Sequence, residues 1–224
     1  MEPGHGGRCG NEAVMPVIYG RRMMCLVCAQ PASGLCQSCR AALRPSARRI
    51  VEGAVASAAF AHEGTGARLV HNLKYRRSLV AGRMLAHAMA QRVHQSHAFL
   101  VPLPRAVGRR VVYGIDPAVF LASELERLTG LPVARVVDAP LWWRRRAGRP
   151  RRDRTGVSFR FRSDPGSHLI LIDDVLTSGQ TAASAVRAIG RADISILTAT
   201  SAGTMSSRST TVPAPREVAW HRSG

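Results

Sequence analysis

Acidic residues are scarce in this 224-residue chain, where 14 Asp+Glu face 32 Lys+Arg, and lysine is scarcer still, since Lys74 is the only one. The deficit leaves a formal charge of +18 and a pI near 11.6. Such a balance favours polyanionic partners: nucleic acid, anionic headgroups or phosphorylated small molecules. An excess carried almost wholly by arginine also fits plain compositional bias, so charge alone names no partner. Long apolar runs are missing too. No stretch approaches the roughly 18 uninterrupted apolar residues of a membrane helix, which excludes a helical span. No apolar signal segment stands near the first residue, so a cytoplasmic protein is expected. With 46 % apolar and 21 % charged residues, the chain is not disordered as a whole. Its length allows one sizeable core and a small satellite module, and excludes two full-sized domains.

Cysteine is sparse but patterned. Four of the five form Cys25-Leu-Val-Cys28, a seven-residue spacer, and Cys36-Gln-Ser-Cys39. Each pair can point two thiolates at one metal, and two pairs complete a closed tetrahedral shell with no open position. A structural Zn2+ knuckle over residues 21–45 is therefore expected, with Cys25, Cys28, Cys36 and Cys39 as ligands. Pro31, Ser33 and Gly34 supply the turn between the pairs. Cys9 lies in a Gly-rich stretch and is read as a free thiol. The histidines are scattered, and no Ser-His-Asp arrangement or second metal site can be assembled.

Residues 1–20 and 203–224 read as tails without periodicity, and 50–202 as one α/β domain. Val51–Phe60 suits a first strand. Apolar spacing from Leu69 to Val93 predicts one or two helices, interrupted near Arg76–Ser78. Ala98–Val101 reads as a short buried strand. Asp116-Pro117 opens a helix that stops at Gly130, and Leu131–Val137 is expected to be the next strand. Leu169–Ile172 is an unbroken apolar run suited to a strand buried on both faces. A helix over about 181–191 and a strand over 194–199 complete an alternation that implies a largely parallel sheet.

The chemistry concentrates in Leu169-Ile-Leu-Ile-Asp173-Asp174-Val175-Leu176-Thr177-Ser178-Gly179-Gln180-Thr181. A central strand delivers two acids at its carboxyl end, where open α/β sheets bind ligands. A loop of hydroxyls and a glycine then opens a helix, and unpaired N–H groups there make a cradle for a phosphate dianion. The adjacent carboxylates suit a pair of ribose hydroxyls, or a metal held through them.

This segment resembles the phosphoribosyl diphosphate signature of type I phosphoribosyltransferases. With the four cysteines ahead of it, the order of elements resembles the ComF/GntX family over roughly residues 21–200. Glu63-Gly64 running to Leu73-Lys74-Tyr75-Arg76, Val101-Pro-Leu-Pro104 and Gly114-Ile-Asp-Pro-Ala118 add to the likeness. The resemblance implies a type I phosphoribosyltransferase fold, a mainly parallel sheet flanked by helices behind the knuckle. Asp173 and Asp174 would hold the ribose 2- and 3-hydroxyls, and Thr177–Thr181 the 5-phosphate. Arg105, Arg109 and Arg110 would face the pyrophosphate beside Lys74 and Arg76, with Mg2+ bridging ligand oxygens. The likeness has three departures, one of them the short stretch Ser158–His168 that separates Val157 from the Asp-Asp strand. Tyr113 stands where the family commonly has arginine, and Arg154 stands in place of a glutamine.

Trp142 and Trp143 precede Arg144, Arg145, Arg146, Arg149, Arg151, Arg152 and Arg154. Charge beside aromatic rings suits single-stranded nucleic acid, through backbone neutralisation and base stacking, and the resemblance carries a link to DNA uptake and its competence proteins. A solvated loop is the equal alternative. Two functions are thus expected from this sequence. One is an enzyme that transfers ribose 5-phosphate from phosphoribosyl diphosphate to an acceptor. The other is a non-catalytic competence factor that binds single-stranded DNA and senses a phosphoribosyl ligand.

Overall fold

The computed structural model describes residues 23–104, 114–139 and 158–203. In chain order its elements are α1 (Gln37–Ala41), β1 (Arg49–Val51), β2 (Ala54–Ala61), α2 (Gly64–Arg76), α3 (Leu79–Ala90) and β3 (Ala98–Pro102). There follow α4 (Pro117–Thr129), β4 (Val137–Asp138), β5 (Arg160–Phe161), β6 (His168–Leu176), α5 (Gln180–Ile189) and β7 (Ile194–Ser201). Five strands form one sheet in the order β1-β2-β7-β6-β3, parallel except for the β1–β2 pair.

The apolar run at Leu169–Ile172 explains the layering. Ile170 and Ile172 enter a buried cluster with Leu69, Leu73, Leu85, Leu121 and Leu125 from α2, α3 and α4. Leu169 and Leu171 enter a second cluster with Ala182, Ala185 and Ile189 of α5. A strand covered by helices on both sides can afford no polar alternation, so it reads as continuous Leu and Ile. The result is a mixed α/β architecture with a mostly parallel sheet between helices. Among the described residues, no helix is long and apolar enough to cross a membrane.

The helical break falls where the spacing predicts it. Arg77 turns left-handed at φ 52°, and the Ser78 hydroxyl accepts the N–H of Ala81 to start α3. The helix behind Asp116-Pro117 runs to Thr129 and closes on Gly130. Two expectations need correction. Val51–Phe60 is not one strand, because Glu52 and Gly53 both take positive φ, 49° and 80°, and reverse the chain. That pair of angles makes a tight hairpin turn, so Val51 ends β1 and β2 begins at Ala54. Leu131–Val137 is strand only at its end, in β4, which pairs with β5. Ahead of it, Leu100 donates its N–H to the Pro132 carbonyl and accepts that of Ala134, a single bridge at the edge of β3. Pro132 has no N–H to extend the ladder.

The two tails expected at 1–20 and 203–224 fall outside the described residues, apart from Gly203. The segment carrying Trp142 to Arg154 and the loop with Arg105, Arg109, Arg110 and Tyr113 also fall outside them.

Candidate functional site

The four cysteines converge. All four Sγ atoms lie within 4.8 Å of one another, and Cys28 Sγ is 3.4 Å from Cys36 Sγ. Zn–S bonds of about 2.3 Å in a tetrahedron need sulfurs on the order of 3.8 Å apart, so the set can hold a metal ion. Its frame is local. Met24 bridges Pro31, the Cys25 N–H bonds the Gln30 carbonyl at 2.7 Å, and α1 presents Cys39. Cys25, Leu35 and Cys39 are buried in the same cluster as Leu69 and Leu85. Asn72 on α2 donates to the Leu26 carbonyl at 2.6 Å. The knuckle is thus part of the core layer over α2 and α3.

Four thiols this close cannot all ionise without a cation among them. Burial lifts Cys25, but backbone groups at Cys28, Cys36 and Val27 outweigh it and bring that thiol down to about 6. Burial, together with the sulfurs of Cys28, Cys36 and Cys25, pushes Cys39 up to about 12. A bound divalent cation would remove the repulsion that keeps Cys39 protonated.

The second site is at the carboxyl end of β6. Pairing with β3 stops at Ile172, while pairing with β7 continues to Leu176. Asp173 and Asp174 therefore stand where one neighbour has ended. Their environments differ. Lys74 Nζ reaches Asp174 Oδ1 at 2.8 Å, with the two side chains 19 % and 8 % exposed. Asp173 Oδ1 accepts the Asp174 N–H at 2.8 Å. Burial, and then the adjacent Asp174 carboxylate, push Asp173 up to about 8, against the opposing pull of Lys74. On the other side, His62 Nδ1 is 2.8 Å from Thr200 Oγ1. Burial and then the Lys74 charge hold that imidazole below its usual range, with Asp174 opposing.

Beyond Leu176 the chain turns through exposed Thr177 and Ser178 to Gly179, whose φ of +80° excludes an ordinary side chain. Gly179 is the N-cap of α5 and accepts the Ala183 N–H at 2.8 Å. It offers no side chain to the first helical N–H groups, of which the Gln180 N–H donates to the Ser178 hydroxyl at 3.5 Å, and the first turn carries no acid. That leaves the helix terminus electropositive and suited to an anion. A cleft of about 520 Å3 opens beside it, lined by Arg49, Val51, Ser178, Gly179, Gln180 and Arg187.

The structure thus joins Lys74, Asp173, Asp174 and the loop to Thr181 at one sheet end. Arg76, the last residue of α2, is exposed two residues beyond Lys74. Sequence reasoning missed His62 and Arg49. Arg49 reaches the Thr177 carbonyl from 128 residues away, and no spacing rule signals that pairing. No family model and no curated protein sequence matches the chain.

Two outcomes follow from this geometry. Stripping metal with a chelator, or replacing Cys39 by Ser, should lower unfolding stability by about 3 kcal/mol or more, because a piece of the core layer is released. Denaturant titration with metal analysis reads this, and an unchanged midpoint contradicts it. Asp173 has its folded pKa raised, so its carboxyl costs nothing below the unfolded value of about 4 and costs progressively more as pH rises towards about 8. Asp173→Asn should therefore match wild type near pH 4 and become progressively the more stable of the two as pH rises towards about 8. A variant that gains nothing at the higher pH contradicts the assignment.

Proposed function

We propose that the chain is a phosphoribosyltransferase-like protein of the ComF/GntX kind. It binds phosphoribosyl diphosphate with Mg2+ and transfers ribose 5-phosphate to an acceptor. The observation that carries this reading is the junction at Leu176–Gln180: paired acids at the end of a central parallel strand, followed at once by a helix terminus whose N-cap is a glycine. The parallel sheet and the convergent cysteines support it by matching the order of elements of that family. On this reading the cysteine cluster holds Zn2+ as a closed structural site.

The 5-phosphate lies against the N–H groups of Gln180 and Thr181 and the hydroxyls of Thr177, Ser178 and Thr181. The ribose 2- and 3-hydroxyls donate to Asp173 and Asp174. Lys74 shares Asp174 with them, so its ammonium stays beside the developing charge. As a nitrogen of the acceptor forms its bond to C1, the C1–O bond breaks and pyrophosphate leaves with the electron pair. The acceptor's N–H proton passes to solvent. Positive groups fixed where that charge appears lower the barrier without reorganising. Among the described residues the cysteines are the one group of three or more ligating side chains able to share an ion. Mg2+, which the resemblance implies, would when bound with the diphosphate supply charge neutralisation of the leaving group.

A second reading rests on the +18 charge and the arginines from Arg144 to Arg154: a competence-type factor that holds single-stranded DNA and uses the same site as a sensor. Both readings need the phosphoribosyl site. Replacing Asp173 and Asp174 together by Asn should weaken phosphoribosyl diphosphate binding by about tenfold or more, given roughly 1.5–3 kcal/mol for a hydrogen bond to the charged Asp174 carboxylate. Circular dichroism and zinc content should be unchanged. Undiminished affinity in that folded variant contradicts the site.

A further inference from the structure

We propose that Arg49 is a positioning residue that holds the loop Thr177–Gln180 in its ligand-ready form before any ligand arrives. The inference rests on reading that loop as the anion cradle. Arg49 belongs to β1, the outer strand of the sheet, yet its Nη1 donates to the Thr177 carbonyl at 2.8 Å and to the Ala202 carbonyl at 3.3 Å. Those are the first residues beyond β6 and β7, and the two strand ends are tied to each other by the Ala202 N–H on the Leu176 carbonyl at 2.9 Å. One guanidinium thus pins the point at which the loop leaves the sheet.

The same hairpin grips the loop twice more. The methyls of Val51 lie 3.5 and 3.7 Å from where a side chain on Gly179 would begin, so they flank the glycine that caps α5. Glu52 Oε1 meets Arg187 Nη1 at 2.6 Å and ties the hairpin turn to the body of α5. The three contacts fall on consecutive functional points: loop start, helix cap and helix shaft.

Thr177 and Ser178 are exposed. Water could satisfy the Thr177 carbonyl as well as Arg49 does, so the gain from this bond is not desolvation. What Arg49 adds is order. A loop already fixed charges no ordering cost to the binding step. One nitrogen of Arg49, Nη1, serves both carbonyls, and the rigid guanidinium plane fixes its direction better than the flexible stem of a lysine fixes an ammonium. Its charge also lies beside the cradle that receives an anion.

The test uses zinc-loaded full-length protein and the variants Arg49→Ala and Arg49→Lys, with two readouts. Millisecond hydrogen exchange without ligand reports the amides of Ser178–Thr181, and calorimetry reports phosphoribosyl diphosphate affinity in the presence of Mg2+. Arg49→Ala should speed exchange at those amides by about tenfold and weaken binding by about tenfold, with the thermal midpoint of the protein unchanged; tenfold is about 1.4 kcal/mol. Arg49→Lys should fall between Ala and wild type. Loop exchange in Arg49→Ala equal to wild type overturns the proposal, as does faster exchange spread evenly over the sheet. If wild-type protein does not bind phosphoribosyl diphosphate, the functional reading fails and the brace is judged on exchange alone. If Arg49→Ala does not fold, Arg49→Lys and Arg49→Gln give the same comparison.

Discussion

Two adjacent carboxylates at the end of a strand buried on both faces are the constraint on which this structure turns. Leu169–Ile172 lie at 2 % exposure or less, and Asp173 and Asp174 follow without a break. Charge in such a place is costly unless it is matched. Asp174 is matched by Lys74, the only lysine of the chain, and Asp173 is left with a raised pKa beside it. The fold thus tolerates an unfavourable ionisation at the carboxyl end of β6, where the proposed function puts its ligand. Sites of this kind combine function with a local loss of stability.

Support for that end of the sheet comes from parts remote in sequence. The knuckle covers α2 and α3, and α2 carries the lysine that answers Asp174. The β1 hairpin reaches across β2 and β7 to hold the loop after β6. Helix α2 thus links the four-cysteine cluster, through Asn72 and the Leu26 carbonyl, to the Lys74–Asp174 pair. The arginine excess also has a structural share: Arg187 and Arg191 are engaged with Glu52 and with Asp164 and Asp193.

Much of this was legible in the sequence because it is local. The Cys-x-x-Cys spacing, the unbroken Leu169–Ile172 run and the Asp-Pro and Gly ends of α4 each depend on a few neighbouring residues, and the structure follows them. The misread places depend on backbone angles or distant partners. The reversal at Glu52–Gly53 was hidden because Val51 and Ala54 continue the same apolar texture on both sides of the turn. The strand expected from Leu131 was stopped by Pro132, whose missing N–H counts only once β3 is beside it. Asp173 and Asp174 read as an equivalent pair, and the difference between them is made by Lys74, a hundred residues upstream. Arg49 is one basic residue among many until the sheet brings it to Thr177.

The central claim is that the end of β6 and the loop after it form a phosphoribosyl site. Isothermal calorimetry of phosphoribosyl diphosphate, with and without Mg2+, on protein carrying one zinc per chain tests it most directly. The account predicts saturable binding that depends on Mg2+. Absence of binding in both conditions, with the protein folded and zinc-loaded, would contradict it and leave the basic charge as the feature that a function must explain.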